Sequence, residues 1–176
     1  HSFSILDINV YFDKSPYANN YKSEFRKHCK KLFDTLLGKG KHNFNPNDVL
    51  DVETELINTY DCKGVMETKG NYNKVTKNEA MEKYGFNWEE LTKALGYKTA
   101  PSFFVTSSLE YLKCATALMK KKWNSEKWKT YWVWIFLRQI ARVTRDWEEI
   151  TYKFHGEFQR GQEKINYSDS VSASLY

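Results

Sequence analysis

Proline and glycine are scarce in this sequence, 3 and 8 among 176 residues. That removes the turn punctuation a sandwich or barrel of many short strands needs. Cysteine is scarcer relative to its uses. Cys29, Cys62 and Cys114 stand far apart with no C-x-x-C, so they lack zinc-site spacing and allow at most one disulfide with one thiol left over. The plain reading is three ordinary, half-buried thiols. No apolar run approaches the ~18 residues of a membrane span, and no basic–apolar–small signal sequence opens the chain. Charge is not one-sided: 27 Lys+Arg against 22 Asp+Glu leave a net +5. Lys outnumbers Arg, whereas readers of nucleic acid rely on bidentate Arg, so a nucleic-acid partner is not expected. No internal repeat or low-complexity block stands out. The first residue is His1 rather than Met, as in a processed chain or a piece of a longer one.

What is abundant is aromatic: 6 Trp, 12 Tyr and 11 Phe, 16% of the chain. Such a load excludes disorder as the whole answer, and a chain of this length buries roughly 70% of its unfolded surface. The expected fold class is all-α, mainly helical with at most a short extended piece.

Residues 1–14 read as extended or irregular. Ser15-Pro16 is an N-cap followed by a first-turn proline, and Phe25, Cys29, Leu32, Phe33 and Leu36 form one helical stripe ending near Gly38. The basic cluster Arg26, Lys27, Lys30 and Lys31 lies mostly opposite, as a solvated face. Asn45-Pro46 opens a second helix with its stripe at Val49, Val52, Leu56 and Tyr60. Glu53 and Glu55 in it point to different sides, which disfavours a paired acid and base and suits surface charge or a salt bridge to a nearby Lys. Asp61 to Lys74 is a polar connection. Thr76 with Glu79, Asn87 with Glu90, and Ser107 with Glu110 are capping patterns, the first two helices stopped by Gly85 and Gly96 and the third running to about Lys122. Between the last two, Pro101, Phe103, Phe104 and Val105 suggest the short extended piece.

The dominant feature is one long helix from about Asn124 to His155. Trp128, Trp132, Phe136, Ile140, Val143, Trp147, Ile150 and Phe154 recur at steps of three and four, which predicts a core-facing aromatic stripe. Tyr131, Trp134 and Ile135 lie outside the stripe, so more than one side is expected to be covered. Gly156 and Gly161 end the pattern. The chain divides into a helical domain over residues 1–161 and the truncated start of a following segment over residues 162–176, whose tail is expected to be mobile. Asn166-Tyr167-Ser168 is a glycosylation sequon, short enough to be common by chance.

Chemistry is sparse. His1, His28, His42 and His155 form no H-E-x-x-H or H-x-H pair, so metal binding by this chain alone is not expected. There is no G-x-S-x-G, no framed nucleophilic cysteine and no glycine-rich phosphate loop. Arg138, Arg142 and Arg145 share a helix face, where Asp146, Glu148 and Glu149 favour a salt-bridged surface over an anion-binding strip. No catalytic, cofactor-binding or metal-ligating residue is assigned.

The order of motifs carries more. Val52-Glu53-Thr54-Glu55-Leu56 is followed by Tyr72-Asn73-Lys74-Val75-Thr76 and Phe86-Asn87-Trp88. Val105-Thr106-Ser107-Ser108-Leu109-Glu110-Tyr111-Leu112 comes next. Trp128 to Arg138 then leads into Phe154-His155-Gly156-Glu157-Phe158-Gln159-Arg160-Gly161. This succession, over about residues 5–161, resembles the N-terminal domain of the neprilysin-like zinc metallopeptidases. Each motif alone is weak, and six in order are fairly specific. Two departures mark a divergent branch: Ser108-Leu109 stands where the family usually has a proline before Glu-Tyr-Leu, and no Arg-Trp-x-x-Cys follows Gly161. The Asn/Lys/Tyr-rich composition suggests a large DNA virus or an AT-rich microbe as source.

The resemblance implies the helical lobe of a zinc metalloendopeptidase, restricting access of short peptides to a catalytic lobe of the same polypeptide. Its cofactor would be zinc, held by H-E-x-x-H and a downstream Glu, none of which occurs in this chain. The implied partners are that catalytic lobe and peptide substrates, with no nucleic acid and no membrane span in this chain. The alternative is a non-catalytic structural or binding protein that kept the helical scaffold. A third option is nucleic-acid binding through Lys120-Lys121-Lys122-Trp123 and the basic first helix, which predicts affinity falling steeply with salt. The resemblance sets no compartment: an intracellular or virion-associated domain and the ectodomain of an anchored or secreted peptidase both fit.

Overall fold

The computed structural model describes residues 3–61, 70, 72–144 and 146–161, the side chains of Asp61 and Trp147 excepted. Cys62, Arg145, the 162–176 segment and its sequon at Asn166 lie outside that description, as does the side chain of Trp147. Among the described residues are eight α-helices and one two-stranded sheet. The chain divides into two compact units, one formed by residues 1–8 and 50–129, the other by residues 9–49 and 130–176.

The second unit opens with α1 (Asn9–Phe12), a single turn where the sequence suggested irregular chain. In α2 (Pro16–Phe33) Ser15 Oγ accepts from the Ala18 backbone N–H at 3.1 Å, and Pro16 occupies the first turn. The helix widens into a π-helical turn, Asp34–Gly38, which Gly38 ends at φ +93°. Phe25, Cys29, Leu32 and Phe33 are buried as their spacing requires. α3 (Pro46–Asn58) gives its first turn to this unit, where Thr130 Oγ1 donates to Asp48 at 3.3 Å.

The long C-terminal helix is interrupted. α7 (Glu126–Ala141) stops, and α8 (Trp147–Thr151) continues into a π-helical stretch, Tyr152–Phe158. The break follows from Val143 and Thr144. Their backbone N–H groups bond three residues back, to Ile140 and Ala141, and the Thr144 hydroxyl donates to the Ala141 carbonyl at 2.8 Å. Bonds reaching back three residues rather than four tighten the turn. Gly156 does not end the helix. A Cβ there would lie 2.8 Å from the Tyr152 ring, so glycine admits that ring against the backbone, and Gly161 at φ +61° follows the last helical residues.

In the first unit β1 (Asn73–Thr76) pairs antiparallel with β2 (Phe103–Thr106), Lys74 opposite Val105 and Val75 opposite Phe104. From sequence alone β1 looks like the end of a polar connection and the start of a helix cap, because a four-residue strand with one apolar side chain has no periodicity to show. Thr76 ends the strand and caps α4 (Lys77–Tyr84) with a complete capping box to Glu79. Asn87 caps α5 (Trp88–Ala94) by accepting from Glu90 N–H at 3.0 Å. For α6 (Leu109–Lys122) the cap is Ser108, not Ser107: Ser108 Oγ accepts from Tyr111 N–H at 3.0 Å. The core of this unit includes Ile5, Val52, Leu56, Val75, Ala80, Ala115 and Trp128.

Candidate functional site

The ionisable groups buried in each unit show what chemistry the chain can offer. In the first unit Glu53 of α3 is fully buried, not the surface charge its spacing suggested. It accepts from the Ser4 hydroxyl at 2.7 Å and from the Ser4 backbone N–H at 3.2 Å, fastening the N-terminal segment to the helix. Glu55, two residues on, takes the expected role, pairing with Lys122 at 2.9 Å and accepting from Trp128 Nε1 at 3.4 Å. Tyr111 stacks on Tyr60 with ring centres 4.6 Å apart. Burial, with Tyr60 and Glu53 adding, pushes the Tyr111 phenol up to about 12, so it is a neutral hydroxyl at neutral pH and no base.

The second unit holds a histidine pair the sequence did not reveal. His28 of α2 stacks on Phe154 at 5.0 Å, meets Trp134 edge-on at 5.8 Å and lies 5.1 Å from the His155 ring. Its Nδ1 is 3.2 Å from the Ile150 carbonyl. A carbonyl only accepts, so Nδ1 carries the proton. Burial drives this imidazole down to about 3, and His155 pushes the same way. His155 is lowered too, chiefly by burial, against the support of Gln159. His155 Nδ1 meets Gln159 Oε1 at 2.6 Å, and Gln159 Nε2 donates to the Tyr21 hydroxyl at 2.6 Å. Both are neutral rings, one held by a backbone carbonyl and the other by an amide side chain, and among the described residues no carboxylate orients either as a general base.

The basic face of α2 is an ion-paired surface. A shallow concavity is lined by Lys27, Lys30, Lys31, Asp34 and Thr35, and its lysines pair with Glu24, Asp34 and Glu149 at 2.6–2.9 Å. His42 meets Asp34 at 2.9 Å. Arg138 lies over the Trp134 ring, 5.7 Å from its centre. Among the described residues no group of three or more His, Cys, Asp or Glu could hold a metal ion, so they offer zinc no ligand set and no catalytic step is derived from them. No described helix is long and apolar enough to cross a membrane. Cysteine departs from the sequence reading: Cys29 is a free buried thiol, whereas Cys114 on α6 is disulfide-bonded.

What remains is a helical scaffold whose buried polar groups serve packing. The model of peptidase family M13, for its N-terminal part, matches residues 2–173. The chain belongs to peptidase family M13. Among solved structures it is similar to the zinc metalloprotease Zmp1 of Mycobacterium tuberculosis in its open state, with a TM-score of 0.70 and 20% identity. That match covers 99% of this chain and 28% of the other, so the M13 chain described here spans little more than a quarter of that relative's length. At this identity the likeness shows the fold: a helical M13 N-terminal region with a minimal sheet. No curated protein matches the sequence.

Proposed function

We propose that this M13 chain is the helical lobe of a zinc metalloendopeptidase and restricts peptide access to a catalytic zinc lobe elsewhere in the same polypeptide. The observation that carries the reading is the M13 match over residues 2–173 on a chain whose described residues contain no metal ligand set. A peptidase family member without ligands has them on another part of the polypeptide or has lost the activity. Two units, each with its own buried core, suit a lid or wall, which must be rigid to exclude large substrates. The disulfide at Cys114 supports an oxidising compartment, where such bonds persist, and so favours the ectodomain of an anchored or secreted peptidase.

The test has two parts. The native polypeptide is expected to carry H-E-x-x-H after residue 176, and the purified 176-residue chain to bind no stoichiometric zinc and cleave no peptide. One tightly held zinc per chain with protease activity would overturn the division of labour. A native polypeptide without H-E-x-x-H would instead establish the non-catalytic scaffold.

A further inference from the structure

The two histidines of the second unit meet across an interface. His28 belongs to α2, and His155 to an arm of chain over residues 147–161, made of α8 and the π-helical stretch after it. The arm buries Ile150 and Phe154. Phe154 stacks on His28 and tilts against Phe25, and Tyr21 of α2 meets Phe154 and Phe158 edge-on. The arm joins α7 through the break after Ala141, so it can part from α2 without unwinding α7.

Neither ring has room for a second proton while the arm is in place. Nδ1 of His28 is committed to the Ile150 carbonyl and Nδ1 of His155 to Gln159 Oε1, so an added proton goes to Nε2 in each. On His28 it would charge a ring packed against Phe154, Trp134 and the other imidazole. The cations around the pair oppose it too: Arg138 from α7, Lys31 from α2 and Arg160 from the end of the arm. Arg160 is held there by its Nε, which donates to the His155 carbonyl at 2.7 Å. The acids of the two packed elements bring no relief. Glu149 of α8 pairs with Lys31, and Glu24, one turn before His28, pairs with Lys27. Asp146, Glu148, Lys153 and Glu157 are exposed. Two imidazolium rings 5.1 Å apart would also repel each other. Once the arm parts from α2, water reaches both rings and each takes up its proton freely.

We propose that His28 and His155 form an acid-operated clasp: proton uptake by the facing imidazoles loosens the arm 147–161 from α2 while α2 and α7 stay folded. The clasp needs no residue outside this chain and is independent of the peptidase reading. Its strength follows from linkage. In the clasped state His28 titrates at about 3, and a histidine free of such surroundings near 6.5. Between pH 7.5 and pH 4.5 the opening constant therefore rises about a hundredfold from this ring alone. A protein built this way distinguishes neutral from mildly acidic surroundings by its conformation.

Hydrogen exchange with mass spectrometry on the native-length protein tests it, read as protection factors so that the pH dependence of intrinsic exchange cancels. From pH 7.5 to pH 4.5 the amides of residues 147–160 should lose about a hundredfold in protection, and those of α2 and α7 less than about threefold. In the double variant His28→Asn/His155→Asn the loss in the arm should shrink to less than about threefold. If that variant does not fold, His155→Asn alone, at a half-buried ring, carries the comparison and should cut the loss by about threefold or more. An arm that keeps its protection at pH 4.5 overturns the proposal. So does an equal loss in the arm, α2 and α7, which makes the acid response global unfolding. An unchanged loss in the variants overturns it as well, and assigns the response to carboxylates such as Glu149.

Discussion

His28 sets how the second unit responds to acid. Its native imidazole titrates at about 3, mainly because it is buried, whereas in the unfolded chain a histidine titrates near 6.5. Between those values the unfolded chain binds the proton and the native chain does not, so stability rises with pH across the window. The contribution is intact above about pH 6.5, declines as pH falls, and is fully lost below about pH 3, for a total on the order of 5 kcal/mol. His155, also lowered by burial, works in the same direction. His28→Asn keeps a donor for the Ile150 carbonyl and removes the titrating ring. Urea unfolding at pH 7.5 and pH 4.5 should show a smaller loss of stability on acidification for the variant than for the parent. Equal losses would mean that the ring is not held neutral.

Glu53 is the other residue whose role lies in its surroundings. Glu53→Leu removes the acceptor of the Ser4 hydroxyl and backbone N–H and should cost about 1–3 kcal/mol. Glu53→Gln keeps an acceptor and should cost less than half as much. Denaturation midpoints give both numbers, and equal costs would show that the site needs volume rather than an acceptor.

At the scale of elements, helix starts and stops are written locally and were readable. Ser15, Thr76 and Asn87 cap where expected, and Gly38, Gly85 and Gly96 sit at positive φ where helices end. The error at α6 is one residue, since Ser107 and Ser108 both precede the helix and only geometry selects Ser108. Ser108→Ala should therefore destabilise the chain by about 1 kcal/mol, and Ser107→Ala should stay within about 0.5 kcal/mol. What failed to show is non-local. β1 exists through its pairing with β2, and the break after Ala141 comes from a threonine hydroxyl and two tightened bonds in a stretch with no glycine or proline to announce it.

The orientation of α7 is the instructive case. Counting apolar steps of three and four from Trp128 selects Trp132, Phe136, Ile140 and Val143 as the core stripe, yet these are exposed while Tyr131, Trp134 and Leu137 are buried. Periodicity picks a face only when one face is apolar, and here both are. Trp134 meets Phe25, His28 and Phe33 edge-on, so Trp134→Ala should cost about 3–5 kcal/mol. Trp132→Ala in the 176-residue chain should cost about 1 kcal/mol or less, in keeping with its exposure. Reversed magnitudes in thermal or urea unfolding would mean that the helix is rotated from the position described.

For the whole molecule, family and fold class were legible because six weak motifs in order are jointly specific, and the M13 match over residues 2–173 bears the family out. Source and compartment left no such mark. The histidine pair stayed hidden because His28 and His155 lie 127 positions apart with no shared motif. The central claim is that this lobe limits what reaches a catalytic centre, and substrate size reports on that most directly. The native-length protein should be assayed on a series of peptides sharing one cleavage sequence and differing only in flanking length. The account predicts that kcat/KM is high for short peptides and drops steeply once the chain or its folded ends outgrow the enclosed space. A kcat/KM that stays level from short peptides through to an unfolded protein would contradict it.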